Sequence, residues 1–313
     1  MNQFLPKAIQ SVRVPPIKCQ GIKTKLVPFI ARNISWDGKG RWIEPFMGSG
    51  VVAFNLRPER AVLADTNKHI IELYNDIKSG KVTEVIVKNY LTEMGNKLLE
   101  KGEDFYYEVR DEFNSSGGSL PFLFLNRACF NGLMRFNSKG KFNVPFGRKP
   151  ERFRKAYVTK ITNQVAWVRS ILHAVDWEFV VSDYKKIMAI VQANDFVYMD
   201  PPYIGRHTDY FNSWSVDDAR HLAKLAEDLS CGFALSMWLE NKYRRNNHLD
   251  LHWNGYQVRT YEHFYHVGST ESLRNSMTEA LVIKEGFASL QSVAKKLDKA
   301  ALQHELFSLP FDK

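Results

Sequence analysis

The chain has 313 residues, 44% hydrophobic and 13% aromatic, with 43 Lys plus Arg against 34 Asp plus Glu for a net charge of +9. That composition supports a sizeable core and excludes a disordered chain, a collagen-like chain and a small disulfide scaffold. No apolar run approaches the ~18 residues of a membrane span, Met1 to Pro16 lacks the apolar stretch of a secretory leader, and three widely spaced cysteines (Cys19, Cys129, Cys231) form no metal-binding pair and fit a reduced, cytoplasmic protein.

A basic, proline-containing arm runs through Lys25, and helical spacing covers Thr24 to about Asn33. Arg41–Glu44 reads as a short strand entering the loop PFMGSG, Pro45 to Gly50, followed by a helical VVAFNL. Ala61–Ala64 reads as a second buried strand ending at Asp65. Strand, glycine-rich turn, helix, strand is the opening of a doubly wound α/β sheet. From about Lys68 to Asn126 the pattern is helical and charged, broken at Ser115–Ser119. MRFNSKGKFNV, Met134 to Val144, reads as a hairpin around Asn137-Ser138-Lys139-Gly140. A helix is expected over Thr159–Ala174. Strands are expected at Glu178–Val181, Phe196–Met199, Gly232–Met237, Gln257–Thr260 and Glu279–Lys284, and an exposed amphipathic helix over Ser289–Phe307. The sum is one α/β sheet whose halves flank an inserted, mostly helical module of about 100 residues, an ordinary domain size.

The buried strand FVYM delivers Asp200-Pro201-Pro202-Tyr203 at its C-terminal end, the edge where open α/β sheets bind ligands. Two prolines remove backbone donors, so carbonyls there face a ligand without competition. With the Asp200 carboxylate and the Tyr203 ring, the turn offers two acceptors and a stacking face, suited to an amino group on an aromatic ring. A rigid strand-ending turn is the other reading. In EPFMGSG, Gly48 and Gly50 allow a tight turn before a helix N-terminus. A plain strand–helix turn competes with ligand binding there. Asp65, 17 residues past Gly48, sits near the spacing at which an acid meets ribose hydroxyls, although such a residue also caps helices.

Asn126 to Lys149 carries Arg127, Arg135, Lys139, Lys141, Arg148 and Lys149 interleaved with Phe130, Phe136, Phe142, Phe146, Asn131, Asn137 and Asn143. Arg and Asn read guanine and adenine edges, a ribbon fits the major groove, and aromatics wedge into base stacks. A basic surface hairpin over an aromatic mini-core is the competing reading. The basic excess agrees with a polyanionic partner.

These motifs resemble the Dam-like (D12 class) N6-adenine DNA methyltransferases. EPFMGSG is similar to their first cofactor motif, LADTN (Leu63 to Asn67) to the second, DPPYIG to the catalytic motif, CFNGLMRFNSKGKFNVPFG to the DNA-reading hairpin and GIKTKL (Gly21 to Leu26) to the N-terminal motif. The order resembles the alpha group, and VPPIKCQGIKTKLVPFI and YIGRHTDYFNSW resemble EcoRV-type modification methyltransferases. The resemblance spans about Lys18 to Lys284 and implies a Rossmann-like methyltransferase fold, a mixed seven-stranded sheet formed by 1–67 and 176–288. It makes 68–175 a helical and β-hairpin target-recognition domain and 289–313 a C-terminal helix.

It further implies S-adenosylmethionine as donor, S-adenosylhomocysteine as product and double-stranded DNA as partner. Asp200, Pro201, Pro202 and Tyr203 are catalytic by that carry-over. Cys19, Gly21, Lys23, Pro45, Phe46, Gly48, Gly50, Asp65, Asp183, Tyr184 and Asp200 border the cofactor. Lys18, Phe130, Asn131, Leu133, Arg135, Asn137, Lys139 and Pro145 meet DNA. The aromatic common at the Cys19 position is missing, and Gln20 and Ile22 replace small residues. No metal is implied, and His207, His263 and His266 have no zinc spacing. A restriction–modification setting with a cognate endonuclease, a site containing GA such as GATATC, and a monomer or weak dimer on DNA complete the expectation. RNA and protein-glutamine methylases tend to carry Asn before PPY and lack the hairpin, and N4-cytosine enzymes carry Ser there. A catalytically inactive DNA-binding relative and a nicotinamide enzyme are the remaining alternatives, the latter lacking a third glycine.

Overall fold

The computed structural model describes residues 3–202, 214–241, 246–264 and 276–290. In chain order these form α1 (Val27–Asn33), β1 (Trp42–Glu44), α2 (Val51–Leu56), β2 (Arg60–Asp65), α3 (Lys68–Ser79), α4 (Glu84–Lys101), α5 (Glu103–Ser116) and α6 (Ser119–Ala128). Then come 3-10 turns at Phe130–Gly132 and Pro150–Phe153, α7 (Lys155–Leu172), β3 (Asp176–Val181), α8 (Tyr184–Met188), β4 (Phe196–Met199), α9 (Val216–Glu227), β5 (Gly232–Asn241), α10 (His248–His252), β6 (Gln257–Phe264) and β7 (Ser276–Ile283).

The seven strands make one sheet in the order β3-β2-β1-β4-β5-β7-β6. β3 to β5 pair in parallel, and β7 runs antiparallel to both of its neighbours. The near-continuous apolar runs of β1, β2 and β4 follow from burial on both faces, as parallel strands covered by helices require. Alternation sorts their side chains. Trp42, Leu63, Phe196, Tyr198, Ala234 and Leu281 enter the core shared with α1, α2, α3 and α7. Ile43, Val62, Val197, Met199, Phe233 and Val282 face the opposite core with Tyr184 and Ile187 of α8, Leu222 and Ala226 of α9, and Trp253. This is the α/β mixed sheet that the sequence led one to expect.

The helices α3 to α7 lie between β2 and β3. Asn67 caps α3 by accepting from the His69 amide at 3.1 Å, and Thr83 caps α4 by accepting from Ile86. The Ser115–Ser119 break is where Gly117 and Gly118, at φ of 73° and 107°, end α5 and start α6. The inserted helices share one apolar core with the sheet. The Phe54 ring lies 5.1 Å from Tyr74, 5.9 Å from Trp167 and 5.1 Å from Trp177.

The hairpin is shorter than a two-stranded ribbon. One bridge joins Phe136 to Phe142, and Asn137 N–H donates to the Lys141 carbonyl at 2.9 Å. The Asn137 carboxamide oxygen accepts from the amides of Lys139 and Lys141 at 2.9 and 3.0 Å, locking the turn. α8, α9 and α10 carry no expectation from sequence; α9 is set by a reciprocal capping box between Ser215 and Asp218. The helix expected over Ser289–Phe307 lies, past Leu290, outside the described residues, as do Tyr203, His207 and His266.

Candidate active site

Strand alternation brings five polar side chains to one face at the C-terminal edge of the sheet: Glu44 after Trp42, Tyr198 and Asp200 on β4 and just past it, Ser236 beyond Ala234, and Glu279 before Leu281. Lys23, from the loop before α1, covers them with its side chain 5% exposed. Its Nζ lies 3.0 Å from Asp200 Oδ1 and 3.9 Å from Glu279 Oε2, and it donates to the Gly21 carbonyl at 3.2 Å. Ser236 Oγ donates to the same Asp200 Oδ1 at 3.0 Å and shares a 2.8 Å hydrogen bond with the Tyr198 hydroxyl. Lys23 and Ser236 thus both engage one oxygen of a carboxylate whose side chain is 20% exposed. Neither of them engages Oδ2.

Burial raises the Asp200 carboxyl above its ordinary range, although Lys23 pulls it back. Burial also pushes Glu44 up to about 8; Trp42 Nε1, which donates to Glu44 Oε1 at 2.8 Å, opposes the shift, and the Asp200 charge adds to it. At neutral pH Glu44 therefore holds its proton, and the Lys23 ammonium sits among fewer negative charges than the formula suggests. A polar residue inside an otherwise apolar strand was the available signal for Glu44, Ser236 and Glu279, because such groups are buried only with a partner. Sequence reasoning carried Glu44 only as the first letter of EPFMGSG, with no role of its own, and missed Ser236 and Glu279.

Beside this cluster the glycine turn leaves β1. Pro45 is buried and Phe46 half-buried, and Gly48 and Gly50 adopt φ of 50° and 70°, which a side chain disfavours. The Gly48 amide donates to Asp65 Oδ2 at 3.0 Å and the Asn67 amide to Oδ1 at 2.8 Å, so Asp65 ties β2 to the turn. Burial raises the Asp65 carboxyl. A Cβ on Gly48 would stand 3.4 Å from Cys19 Sγ, which places the Cys19–Lys23 loop against the turn. Phe46 stacks on Tyr184 at 5.5 Å, and Trp214, not foreseen from sequence, closes on both at 5.5 and 5.4 Å. Asp183 caps α8 by accepting from the Lys185 amide at 2.8 Å. A turn with glycines at positions 48 and 50, a buried carboxylate at the next strand end and an aromatic group at the third suit a nucleoside carrying a polar tail.

The basic hairpin segment lies next to the same loop. Asn126, fully buried in the last turn of α6, accepts from the Lys18 amide at 2.7 Å and donates to the Lys18 carbonyl at 2.9 Å. Phe130 is 50% exposed, Asn131 is exposed in the left-handed region at φ 52°, and Leu133 is half-buried. Arg135 donates through Nε to the Asn143 side-chain oxygen at 3.0 Å, which aims it along the hairpin. Lys139 and Pro145 are exposed.

Two features of the basic segment follow from packing. Arg127 is half-buried and tied down rather than presented; it donates to the Pro16 carbonyl and to Gln164, and burial beside Arg152 pushes its guanidinium down to about 10. Phe136, Phe142 and Phe146 form a mini-core, with Phe136 stacked on His69 at 5.3 Å and Phe146 packed 5.2 Å from Tyr106. Four phenylalanines on a basic loop do not reveal which one faces out, since long-range packing decides it. Among the described residues no group of three metal-ligating side chains occurs, and no helix is long and apolar enough to cross a membrane.

The chain is similar to known proteins along most of its length. The chain is 35% identical over 235 residues to the DNA adenine methylase of Serratia marcescens, covering 72% of this chain and 82% of that one. It is 31% identical over 256 residues to the type II methyltransferase M.MjaIII of Methanocaldococcus jannaschii, covering 73% and 84%. To the DNA adenine methylase of Vibrio cholerae it is 29% identical over 278 residues, 85% of this chain and 94% of that one. The model of the D12 class N6 adenine-specific DNA methyltransferases matches residues 20–273, from the loop that carries Lys23 to β7's approach. The chain belongs to that family: it is an adenine-specific DNA methyltransferase of the D12 class.

Proposed function

We propose that this enzyme extrudes a target adenine from duplex DNA at a defined site and holds its amino group on Asp200 Oδ2 and the Pro201 carbonyl. The family's methyl donor is S-adenosylmethionine, which supplies an electrophilic methyl on a sulfonium and leaves as S-adenosylhomocysteine. The residues around the glycine turn fit it. Gly48, Gly50 and Pro45 leave room for close approach, Asp65 offers a carboxylate to hydroxyls, and Phe46, Asp183 and Tyr184 border an aromatic base. Cys19, Gly21 and Lys23 close the other side.

The adenine amine is a weak nucleophile because its lone pair is delocalised into the ring. Two acceptors that take both N6 hydrogens localise that pair. N6 then bonds to carbon, and its extra proton passes to Asp200. The carboxylate also stabilises the positive charge developing on N6. The amine is buried in the base stack until the nucleotide is extruded, which is the general reason such enzymes flip their base. Tyr203 is assigned the stacking face and Pro202 the rigid turn. Lys18, Arg135, Asn131 and Leu133 read or pack on neighbouring bases, Phe130 fills the space left in the stack, and Asn137, Lys139 and Pro145 line the hairpin's contact. Segment 68–175 acts as the recognition domain of a catalytic body made of 1–67 and 176–288.

The likeness to EcoRV-type modification enzymes supports a restriction–modification setting in the cytoplasm, with a cognate endonuclease, action as a monomer or weak dimer, and a site containing GA. GATATC is the first duplex to test. The observation that carries the reading is the one-sided engagement of Asp200, with Lys23 and Ser236 both on Oδ1. Transfer of tritiated methyl from S-adenosylmethionine to duplex DNA tests it. Asp200→Ala should lower turnover by on the order of 100-fold or more, the scale of losing one preorganised electrostatic partner; near-normal turnover would contradict the acceptor role.

A further inference from the structure

One short stretch of chain touches all three parts of the machinery. At Pro16 its carbonyl accepts from Arg127. At Lys18 both backbone polar atoms are taken by the Asn126 carboxamide, 2.7 Å from N and 2.9 Å from O. The Lys18 stem lies over Gly132, where a Cβ would come within 2.4 Å of Lys18 Cδ. One residue on, Cys19 abuts Gly48 of the cofactor turn. Five residues past Lys18, Lys23 reaches Asp200 at 3.0 Å. Residues 16–23 therefore form a strap from the DNA-reading segment, past the glycine turn, to the reacting carboxylate.

We infer that Asn126 is a specificity-determining positioning residue that fixes the Lys18 backbone against the 130–135 segment, so that base reading by the arm and by the hairpin share one register. A carboxamide is a side chain that can answer both backbone polar groups of one residue, one donor to its carbonyl and one acceptor for its amide. Full burial of Asn126 removes water as an alternative partner, which makes an unmade bond costly and the clamp discriminating. Asn126 itself touches no base. It acts through Lys18, whose ammonium must project from a fixed point to reach an edge in the groove. The inference rests on the reading of Lys18 as a base contact.

The test uses full-length protein, S-adenosylmethionine and plasmid DNA, with N6-methyladenine mapped at every sequence context. Discrimination is the ratio of methylation at the preferred site to that at its single-base neighbours. Asn126→Ala should lower discrimination about tenfold at the base pair Lys18 reads, in the range of one lost bidentate base contact, while methylation at the preferred site falls less. Asn126→Asp keeps the acceptor for the Lys18 amide among the cations Lys18, Arg127 and Arg152, and should retain part of the discrimination; it also serves if the alanine variant does not fold. In a Lys18→Ala background, Asn126→Ala should change discrimination no further, because both act through one side chain. An additive loss in the double variant, or an equal loss at all sites, overturns the inference and leaves the Lys18 reading standing. Undiminished discrimination in Lys18→Ala alone overturns the Lys18 reading and the inference together.

Discussion

Asp200 depends on an inequality between its two oxygens. Oδ1 carries Lys23 and Ser236, and Oδ2 is the oxygen proposed above to meet the substrate. The Ser236 bond favours the ionised form, the form that accepts a hydrogen, whereas burial opposes it. The acidic limb of the rate profile should therefore lie above the ordinary Asp range, with rate rising as pH rises through it. Ser236→Ala removes a bond that lowers the Asp200 pKa, so the limb should move to higher pH and the loss at a pH on the acidic limb should exceed the loss at a pH above it. An identical loss at both pH values would assign Ser236 to packing alone.

Glu44 makes a separate prediction. Its folded value of about 8 exceeds the unfolded value, so between ~4.3 and about 8 the folded chain keeps a proton that the unfolded chain releases. Stability attributable to this group falls as pH rises across that window. Glu44→Gln retains an acceptor for Trp42 Nε1 and removes the titration. The variant should show a flatter dependence of Tm on pH from 5 to 8, and a slope as steep as wild type would contradict protonated burial. Asp200, Pro201, Gly48 and Asp65 are legible in sequence because their spacing is local. Ser236 and Glu279 are not, because they meet Lys23 and Asp200 only after β5 and β7 pair across the sheet.

At the scale of elements, the hairpin separates inward from outward aromatics. Phe142, 1% exposed, packs edge-on against Phe136 and Phe113. Phe142→Ala should cost ~3–5 kcal/mol, as deletion of a buried ring does. Phe130→Ala, at a half-exposed position, should change stability by less than ~0.5 kcal/mol and yet reduce methylation of duplex DNA. Thermal melts beside methyl-transfer rates separate the two. α4 shows packing overruling propensity: Gly95 sits mid-helix because a Cβ there would stand 2.5 Å from Phe153 Cβ. Gly95→Ala gains ~1 kcal/mol of helix propensity and loses ~1–3 kcal/mol to overpacking, so a lowered Tm is expected. Most helices and strands with a strong local pattern were readable from sequence, but α9 was not, although Ser215 and Asp218 form a capping box at its start. The five-residue α8 and α10 were not, since so short a segment has too little periodicity of its own to read.

At the scale of the molecule, the charge of +9 lies on a chain whose exposed basic residues include Lys139, Lys141, Arg148 and Lys149 on one segment. Sequence gave the sign of the partner's charge and the strand–turn–helix–strand opening of the sheet. It left the order β3-β2-β1-β4-β5-β7-β6 unread, because strand neighbours such as β1 and β4 lie more than 150 residues apart. If the arm and hairpin neutralise about five phosphates, log affinity should fall against log salt with a slope of about −4.5, and Lys139→Ala should reduce that slope by about 1. An unchanged slope would remove Lys139 from the phosphate contacts.

The most direct test of the account is nucleoside mass spectrometry of duplex DNA after incubation with the purified protein and S-adenosylmethionine. Formation of N6-methyldeoxyadenosine, confined to one short sequence context, is the predicted result. Methyl groups on cytosine N4, on adenines without regard to context, or on no base at all would contradict it.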